Sequence, residues 1–247
     1  MGSELRAQYL QAMGIEAWRL RVSAEAAQAV ADAADAVPPT VSPLSSPTPI
    51  GAALPDLGWD ALQQQVAACT RCDLHRTRTQ TVFGVGVHTA EWLVIGEAPG
   101  AEEDKRGEPF VGRAGQLLDK MLAAIGLDRG RNVYIANILK CRPPNNRDPQ
   151  AGEVAHCEPY LQQQIALLKP KLILAVGRIA AQNLLKTDAP LTRLRGLVHR
   201  YGPEQTPLII TYHPAYLLRS PGDKRKAWED LQFAVRTYRE LQTGRLE

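Results

Sequence analysis

The sequence predicts a three-layer α/β/α protein, in which helices cover both faces of a central four-stranded, mainly parallel sheet. Two observations support this prediction. Four short apolar runs have the composition of buried parallel strands, and segments with helical periodicity separate them. Alternating strands and helices favour parallel pairing, because each crossover through a helix returns the chain to the same end of the sheet.

The predicted elements alternate along the chain from residue 61 onward. The strands are expected at residues 92–95, 133–139, 172–176 and 208–211. The helices are expected at residues 61–68, 114–125, 149–168 and 178–185. Ligands of open α/β sheets bind at the carboxyl ends of strands. The segments that directly follow the four strands are therefore the first candidates for a functional site.

Residues 1–57 differ in composition from the rest of the chain. We expect a helical N-terminal extension at residues 1–36 and a linker at residues 37–57, since six of the 18 prolines fall within 37–55. A compact domain is expected at 58–247. Residues 1–58 carry three arginines and six acids, which leaves the remainder with a net charge of +6. Such a balance suits a nucleic-acid partner, although many enzymes share it.

All four cysteines of the chain can serve one site. Cys69 and Cys72 form a Cys-x2-Cys pair, and Cys141 and Cys157 follow further along the chain. The first 20 residues lack the apolar core of a signal peptide, which predicts a cytoplasmic protein and argues against disulfides. Four thiolates complete a tetrahedral zinc site or hold an iron–sulfur cluster, and the spacing alone favours zinc.

The loop after the first predicted strand holds two unusual features. The motif GEAPG at residues 96–100 forms either a tight turn whose backbone amides face a ligand or a simple connection to the next helix. Phe110 stands in a charged loop further along. Its ring either caps a planar ligand by stacking or serves as a local hydrophobic anchor.

Polar residues also mark the ends of the second and fourth predicted strands. Asn137 interrupts an apolar run, so its amide either holds the structure together or reads the edge of a ligand. His213 directly follows the fourth strand. The segment at residues 217–219 then offers an apolar wedge beside a phosphate-binding charge, although in a buried helix its leucines would belong to the core.

Taken together and in this order, the motifs resemble the family 4 uracil-DNA glycosylases, the iron–sulfur branch of the uracil-DNA glycosylase superfamily. The matching pieces are Cys69-x2-Cys72, GEAPG at 96–100, PFVG at 109–112, ANILKCRPP at 136–144, Cys157 and HPAY at 213–216. The resemblance covers about residues 59–240 and leaves the N-terminal segment outside. Each motif alone is weak, whereas the ordered set is specific.

The resemblance implies that residues 58–247 form a glycosylase domain, which rotates deoxyuridine out of DNA and hydrolyses its N-glycosidic bond. The products are free uracil and an abasic site. The implied cofactor is a [4Fe–4S] cluster with a structural role, held by Cys69, Cys72, Cys141 and Cys157. The implied catalytic residues are His213, Glu97 and Asn137. The implied uracil contacts are Glu97, Ala98, Pro99, Gly100, Glu103, Phe110, Asn137 and His213. The implied DNA contacts are Lys140, Arg142, Arg147, Leu217, Leu218 and Arg219.

The same resemblance assigns roles within the pocket. Phe110 is expected to stack on the extruded base, and Asn137 to pair with its edge. His213 is expected to donate a hydrogen bond to the departing uracil, where negative charge develops. Family 1 enzymes carry an Asp at the position of Ala98, so Glu97 is the nearest acid that could position water. Glu103 is expected to exclude the methyl group of thymine.

Two alternatives remain at this stage. One is the superfamily branch that becomes covalently trapped on uracil-DNA through a reactive His after the second strand. Residues 141–149 contain no His, which favours turnover. The other is a non-catalytic, zinc-stabilised nucleic-acid-binding module, which leaves the strand-end residues unexplained. A monomer is expected, and the N-terminal extension is a candidate docking segment for a repair or replication partner.

Overall fold

The computed structural model describes residues 57–244, and a six-stranded sheet forms the centre of this part of the chain. The strands are β1 (Val85–Gly86), β2 (Trp92–Gly96), β3 (Val133–Asn137), β4 (Leu172–Val176), β5 (His199–Tyr201) and β6 (Thr206–Thr211). The predicted N-terminal extension and the predicted linker, except residue 57, lie outside the described residues. Between residues 57 and 244 no helix is long and apolar enough to cross a membrane.

Eight α-helices accompany the sheet within the described residues. They are α1 (Trp59–Ala67), α2 (Ala101–Arg106), α3 (Arg113–Ala123), α4 (Ala151–Leu168), α5 (Arg178–Leu185), α6 (Leu191–Leu194), α7 (Pro214–Arg219) and α8 (Lys224–Gln242). The four expected helices correspond to α1, α3, α4 and α5, with ends shifted by at most two residues.

The sheet separates two apolar layers, as the three-layer prediction requires. Successive side chains of a strand point to opposite faces, so each fully buried central strand contributes to both layers. One layer includes Leu93 and Ile95 of β2 and packs against α1, α4 and α5. The other includes Trp92 and Val94 and packs against α3 and α8. The predicted α/β/α class is therefore confirmed.

The strand order is β1-β3-β2-β4-β6-β5, and the four central strands pair in parallel. These four are the expected strands, each within two residues of its expected bounds. The strands β1 and β5 add antiparallel edges, so the sheet has six strands rather than four. At two and three residues, both are too short and too exposed to leave an apolar run in the sequence.

The topology opens a crevice at the carboxyl end of β2. The connection from β2 to β3 runs through α2 and α3. The connection from β3 to β4 runs through α4 on the other face and places β4 on the opposite side of β2. Such a switch point leaves the carboxyl ends of adjacent strands free to line a ligand site. The loops that follow β2, β3, β4 and β6 meet there.

Candidate active site

A cleft of about 690 Å³ lies at the carboxyl ends of the central strands. Its walls come from the loops after β2 and β3 and from the starts of α5 and α7. The structure brings all eight expected uracil contacts to this one cleft: Glu97, Ala98, Pro99, Gly100, Glu103, Phe110, Asn137 and His213. Residues more than 110 positions apart in the chain thus line a single site.

Asn137, the last residue of β3, presents an unsatisfied amide to the cleft. Its side chain is buried, and its Oδ1 atom has no hydrogen-bond partner among the described residues. A buried polar atom without a partner costs about 1–3 kcal/mol. A ligand with an N–H group at this point would remove that cost, so the geometry favours the ligand-reading interpretation of Asn137.

Gly96 lies beside Asn137 in the sheet and leaves the space that the Asn137 amide and the Phe110 ring occupy. The two residues are paired partners in β2 and β3. A Cβ atom on Gly96 would stand 2.4 Å from Asn137 Oδ1 and 2.5 Å from Phe110 Cζ. Gly96 is therefore required for space, because any side chain there would displace the amide or the ring.

Phe110 is held over the pocket in an unusual backbone conformation. Its φ angle is +56°, and its ring centroid lies 5.7 Å from that of His213. The Arg129 guanidinium donates hydrogen bonds to the carbonyl oxygens of Pro109 (3.1 Å) and Phe110 (3.0 Å). A Cβ atom on Gly115 would stand 1.6 Å from the Phe110 oxygen, so the loop packs directly on α3.

The supporting roles of Arg129 and Gly115 were not predicted. Arg129 lies in a loop 19 residues after Phe110, where nothing in the local sequence separates it from other surface arginines. Gly115 lies in the first turn of a helix, where a glycine usually weakens the helix. In the sequence, this unfavourable glycine was the one indication that another backbone segment packs closely against the helix.

Glu103 forms a wall of the cleft with a fixed carboxylate. Its Oε1 atom accepts hydrogen bonds from the backbone N–H groups of Val111 and Gly112, each at 3.1 Å. A Cβ atom on Gly100 would stand 2.7 Å from Oε2. The carboxylate thus fastens the Phe110 loop to α2 and closes one side of the pocket.

His213 is arranged as a neutral hydrogen-bond donor. Its Nδ1 atom accepts a hydrogen bond from the Ala215 backbone N–H at 3.1 Å, which places the ring proton on Nε2. Burial and the nearby positive charge of Arg219 lower the pKa of His213 to about 4, opposed by Glu103. The imidazole therefore stays neutral at physiological pH and keeps one N–H group to donate.

Glu97 lines the cleft with a carboxyl group whose pKa is raised well above its usual value. Burial, followed by repulsion from Asp148, raises the pKa of Glu97 to about 7, and Arg178 opposes the shift. Arg178 also forms an ion pair with Asp148 at 2.8 Å. A carboxyl group poised near neutrality in a cleft is suited to proton transfer or to orienting water.

The expected DNA contacts divide into surface and buried residues. Arg147 and Arg219 line the cleft. Arg142 donates to Asn146 Oδ1 at 2.7 Å in the loop after β3. Leu218 is 39% exposed on α7 and remains available as a wedge.

Two of the expected DNA contacts are wrong as direct contacts, since Lys140 and Leu217 are each only 1% exposed. The Lys140 ammonium donates to the backbone oxygen of Asn137 (2.9 Å) and to Gln164 Oε1 (2.6 Å), and burial lowers the pKa of Lys140 to about 8. Leu217 packs with Tyr212 and Ala227 in a small core cluster, as the alternative interpretation of this segment anticipated.

The four cysteines line one small internal cavity beside α1 and α4. None of the four forms a disulfide, and Cys157 and Cys141 are buried. The Arg78 guanidinium donates to Cys141 Sγ at 3.1 Å, and the Lys140 backbone N–H donates to Cys157 Sγ at 3.2 Å. Burial raises the pKa of the Cys157 thiol to about 12.

The surroundings of the four thiols bear on which metal group they could hold. Within residues 57–244, no three or more His, Cys, Asp or Glu side chains are arranged to hold one metal ion. The thiols instead surround a common space, and donors from Arg78 and the Lys140 backbone already point at two of the sulfurs. Four sulfur donors with this support fit the chemistry of an iron–sulfur cluster.

Comparison with known proteins identifies the family. The model of the Uracil DNA glycosylase superfamily matches residues 83–232. A type-4 uracil-DNA glycosylase of Archaeoglobus fulgidus is 47% identical over 169 residues, which cover 66% of this chain and 84% of the relative. Type-4 enzymes of Pyrobaculum aerophilum and Sulfurisphaera tokodaii are 44% and 40% identical, over 69% and 70% of this chain and 89% and 81% of their own lengths. The chain therefore belongs to the uracil-DNA glycosylase superfamily and, within it, to the type-4 uracil-DNA glycosylases.

Proposed function

We propose that the cleft receives a deoxyuridine rotated out of DNA and hydrolyses the bond between uracil N1 and deoxyribose C1′. The observation that carries this proposal is the unpartnered Oδ1 atom of Asn137, which is buried beside Gly96 at the cleft that Phe110 also lines. A base inside a duplex cannot reach such a pocket, so it must first leave the stack at a cost of a few kcal/mol.

Base recognition follows from the polarity of the Asn137 amide. Its Oδ1 atom accepts from the N3–H group of uracil, and its NH₂ group donates to a uracil oxygen. Cytosine has no N3–H group, so it would leave the buried Oδ1 atom unsatisfied. Glu103 and Gly100 form the wall that we assign to exclusion of the thymine methyl group, because the carboxylate is fixed by two backbone N–H groups and cannot move aside freely.

Bond cleavage separates charge, and two residues of the cleft match the two charges. The electron pair of the C1′–N1 bond leaves with uracil, whose oxygen accepts a hydrogen bond from the Nε2–H group of neutral His213. The sugar becomes positively charged. The carboxylate of Glu97 stabilises that charge and orients the water that attacks C1′, while the proton of this water passes to the carboxylate.

We further propose that Cys69, Cys72, Cys141 and Cys157 hold a [4Fe–4S] cluster. The cluster would supply a structural cross-link between the segment after α1 and the loop after β3. Only three residues lie between Cys141 and Asn137, so the cross-link would support the base-reading strand. No step of the proposed hydrolysis uses the cluster.

The monomeric state, the cytoplasmic location and recruitment of a repair or replication partner by the N-terminal extension stay predictions from the sequence. Their structural basis would lie partly in residues outside the described range. Light scattering of the full chain tests the first, and pull-down with the N-terminal segment alone tests the third.

The decisive test of function is incubation of the full chain with a uracil-containing oligonucleotide, followed by alkaline strand scission. Scission at uracil, and none in matched cytosine and thymine oligonucleotides, is expected. An Asn137→Ala protein purified in the same way should give no scission, which excludes a contaminating glycosylase. An SDS-stable protein–DNA complex would favour the covalently trapped branch instead. Binding without scission would favour the non-catalytic module.

A further inference from the structure

Three side chains form an ordered stack at the rim of the cleft. The Arg195 guanidinium lies 4.5 Å from the ring centroid of Tyr212. The rings of Tyr212 and Tyr216 are stacked, with centroids 5.3 Å apart and planes 14° from parallel. Tyr212 is buried, whereas Tyr216 is 36% exposed and lines the cleft. The stack therefore ends in an aromatic ring that faces the site.

The outer ring of this stack is held in place along its edge. The Tyr216 hydroxyl donates to Asp223 Oδ2 at 2.6 Å, and Lys226 contacts the other oxygen of that carboxylate at 2.8 Å. The Lys226 ammonium, followed by the Tyr216 hydroxyl, lowers the pKa of Asp223, so the acceptor stays charged. Arg195 at the inner end is itself fixed by Asp230 through two hydrogen bonds of 2.8 Å.

An exposed tyrosine fixed on one face and along its edge is unusual for a residue with only a packing role. Core packing would bury the ring, and a solvated tyrosine would not need two supporting layers. A planar ring whose orientation is already set loses little conformational entropy when a second planar group stacks on it. The arrangement thus has the properties of a preformed stacking surface.

The position of Tyr216 indicates which planar group would bind. Tyr216 follows His213 by three residues, one turn along α7, so it lies at the mouth of the pocket that holds His213. The exposed side chains of Leu218 and Arg219 belong to the same helix. A nucleotide adjacent to one bound in the pocket must pass this mouth, because consecutive nucleotides of a strand are covalently joined.

We propose that Tyr216 is the stacking platform for the base adjacent to the extruded uridine on the same strand. This inference rests on the proposed function and adds a second base-binding site to it. Stacking of a base on an aromatic side chain does not depend on base identity, since every base has a π-face. The platform therefore binds the neighbouring nucleotide of any sequence, in single-stranded DNA as well as in a duplex.

The test uses oligonucleotides that carry a non-cleavable 2′-fluoro-deoxyuridine and the fluorescent base 2-aminopurine on its 5′ or 3′ side. Wild-type protein should quench the fluorescence at one of these two positions. Tyr216→Ala should abolish that quenching and weaken single-strand binding about tenfold. Tyr216→Trp should restore both, while Tyr216→Phe should retain quenching with somewhat weaker binding, because it loses the Asp223 hydrogen bond.

A matched control removes an exposed aromatic residue outside the cleft. Trp228 is 40% exposed on α8 and does not line the cleft, so Trp228→Ala should leave quenching and affinity unchanged. Wild-type affinity of Tyr216→Ala would overturn the platform, as would quenching only of 2-aminopurine in the opposite strand. If wild-type protein cleaves uracil-DNA without quenching either neighbour, the platform fails and the glycosylase stands. If it does not cleave, the proposed function itself fails.

Discussion

The shape of the base pocket depends on two glycines as well as on polar groups, because a glycine has no Cβ atom to fill the space beside it. Gly96 and Gly100 both belong to the GEAPG motif, yet neither has a positive φ angle. Their role is to leave space: a Cβ atom on Gly96 would meet Asn137 and Phe110, and one on Gly100 would meet Glu103. The two glycines of the motif therefore shape the walls of the pocket by leaving space for neighbouring side chains.

The substitution Gly96→Ala adds a single methyl group and tests this role of Gly96. Gly96→Ala should reduce uracil excision by at least about 100-fold, because the new Cβ atom would overlap the Asn137 amide and the Phe110 ring. Single-turnover cleavage of a uracil oligonucleotide measures the loss. Gly152→Ala is the matched control, since a Cβ atom there meets nothing within 4 Å in α4. Equal activity of the two variants would show that the pocket tolerates the methyl group.

The proton affinity of Glu97 predicts the pH dependence of the reaction. Because burial raises the pKa of Glu97 to about 7, its carboxylate forms only as the pH passes neutrality. The single-turnover rate should therefore rise between about pH 6 and pH 8 and then level off. His213, with a pKa of about 4, adds no step in that range. Glu97→Gln should be slower and should lack the rise.

The raised pKa of Glu97 also predicts how stability depends on pH: stability should fall over the pH range in which the cleavage rate begins to rise. A carboxyl whose folded-state pKa lies above its unfolded value binds more protons when folded, so its charge destabilises the protein increasingly as the pH rises from about 4.5 to 7. Glu97→Gln should thus have a higher Tm than wild type at pH 8, and the difference should shrink toward pH 5. If the Tm difference does not change with pH, the group that titrates near neutrality is a residue other than Glu97.

Sequence reasoning predicted residues that line the cleft, but not the direction of every side chain. The eight expected uracil contacts follow strand ends, and parallel topology brings strand ends together. Lys140 in the loop after β3 and Leu217 in α7 lie beside the cleft as expected, but both side chains turn inward. A basic residue near a DNA site is ordinarily exposed, and the buried acceptors of the Lys140 ammonium, Asn137 O and Gln164, are visible only in three dimensions.

At the scale of elements, the start of α4 organises the basic loop after β3. Arg147 and Glu153 form two hydrogen bonds, of 2.9 and 2.5 Å, and the Glu153 side chain is only 9% exposed. The same carboxylate accepts from the Gln150 backbone N–H at 2.8 Å, which satisfies a free donor at the N-terminus of the helix. One side chain thus fixes both the helix start and the loop that lines the cleft.

Glu153→Gln should therefore destabilise the protein by about 1–2 kcal/mol, because it removes the charge from three hydrogen bonds in a nearly buried position. The Arg147 guanidinium holds the pKa of Glu153 below its usual range, so its contribution to stability is present above pH 4.5 and is lost as the pH falls further. Urea unfolding at pH 7 and at pH 3.5 measures both effects.

The control for this prediction lies on the same helix. Glu158 also forms an ion pair, with Lys186, whose side chain is 62% exposed. Because surface ion pairs contribute about 0–1 kcal/mol, Glu158→Gln should change stability much less. A loss for Glu153→Gln no larger than for Glu158→Gln would contradict the proposed role of the Glu153 network.

Elements were predictable from the sequence where burial leaves a pattern. The four central strands are buried at every residue and gave clear apolar runs. The long helix α8 was not among the expected elements. Its buried face includes Asp230 and Thr237, which interrupt the apolar stripe. Asp230 can be buried because its carboxylate accepts hydrogen bonds from Arg195 and Thr211. The periodicity of apolar residues in the sequence does not reveal such pairing.

At the scale of the whole molecule, two connections join the segment before the sheet to the cleft. The buried carboxylate of Asp104 in α2 accepts hydrogen bonds from the backbone N–H and the hydroxyl of Thr79. The cysteine cavity forms the second connection, since Cys69 and Cys72 come from the segment after α1, while Cys141 lies in the loop after β3 and Cys157 in α4. Both connections end on segments that line the active site.

The proposed cluster makes the second connection conditional on metal, which gives the last prediction. Protein purified without oxygen should be brown and contain about four iron and four sulfide ions per chain. Cys157→Ser should lose the visible absorbance and lower the Tm, because a cross-link that forms only in the folded state stabilises that state. Excision should fall mainly because less of the variant is folded. At a low temperature, where the variant stays folded, its activity per folded molecule should therefore change little. A colourless, zinc-containing protein with full activity would contradict the cluster and return the site to the zinc that spacing alone favoured.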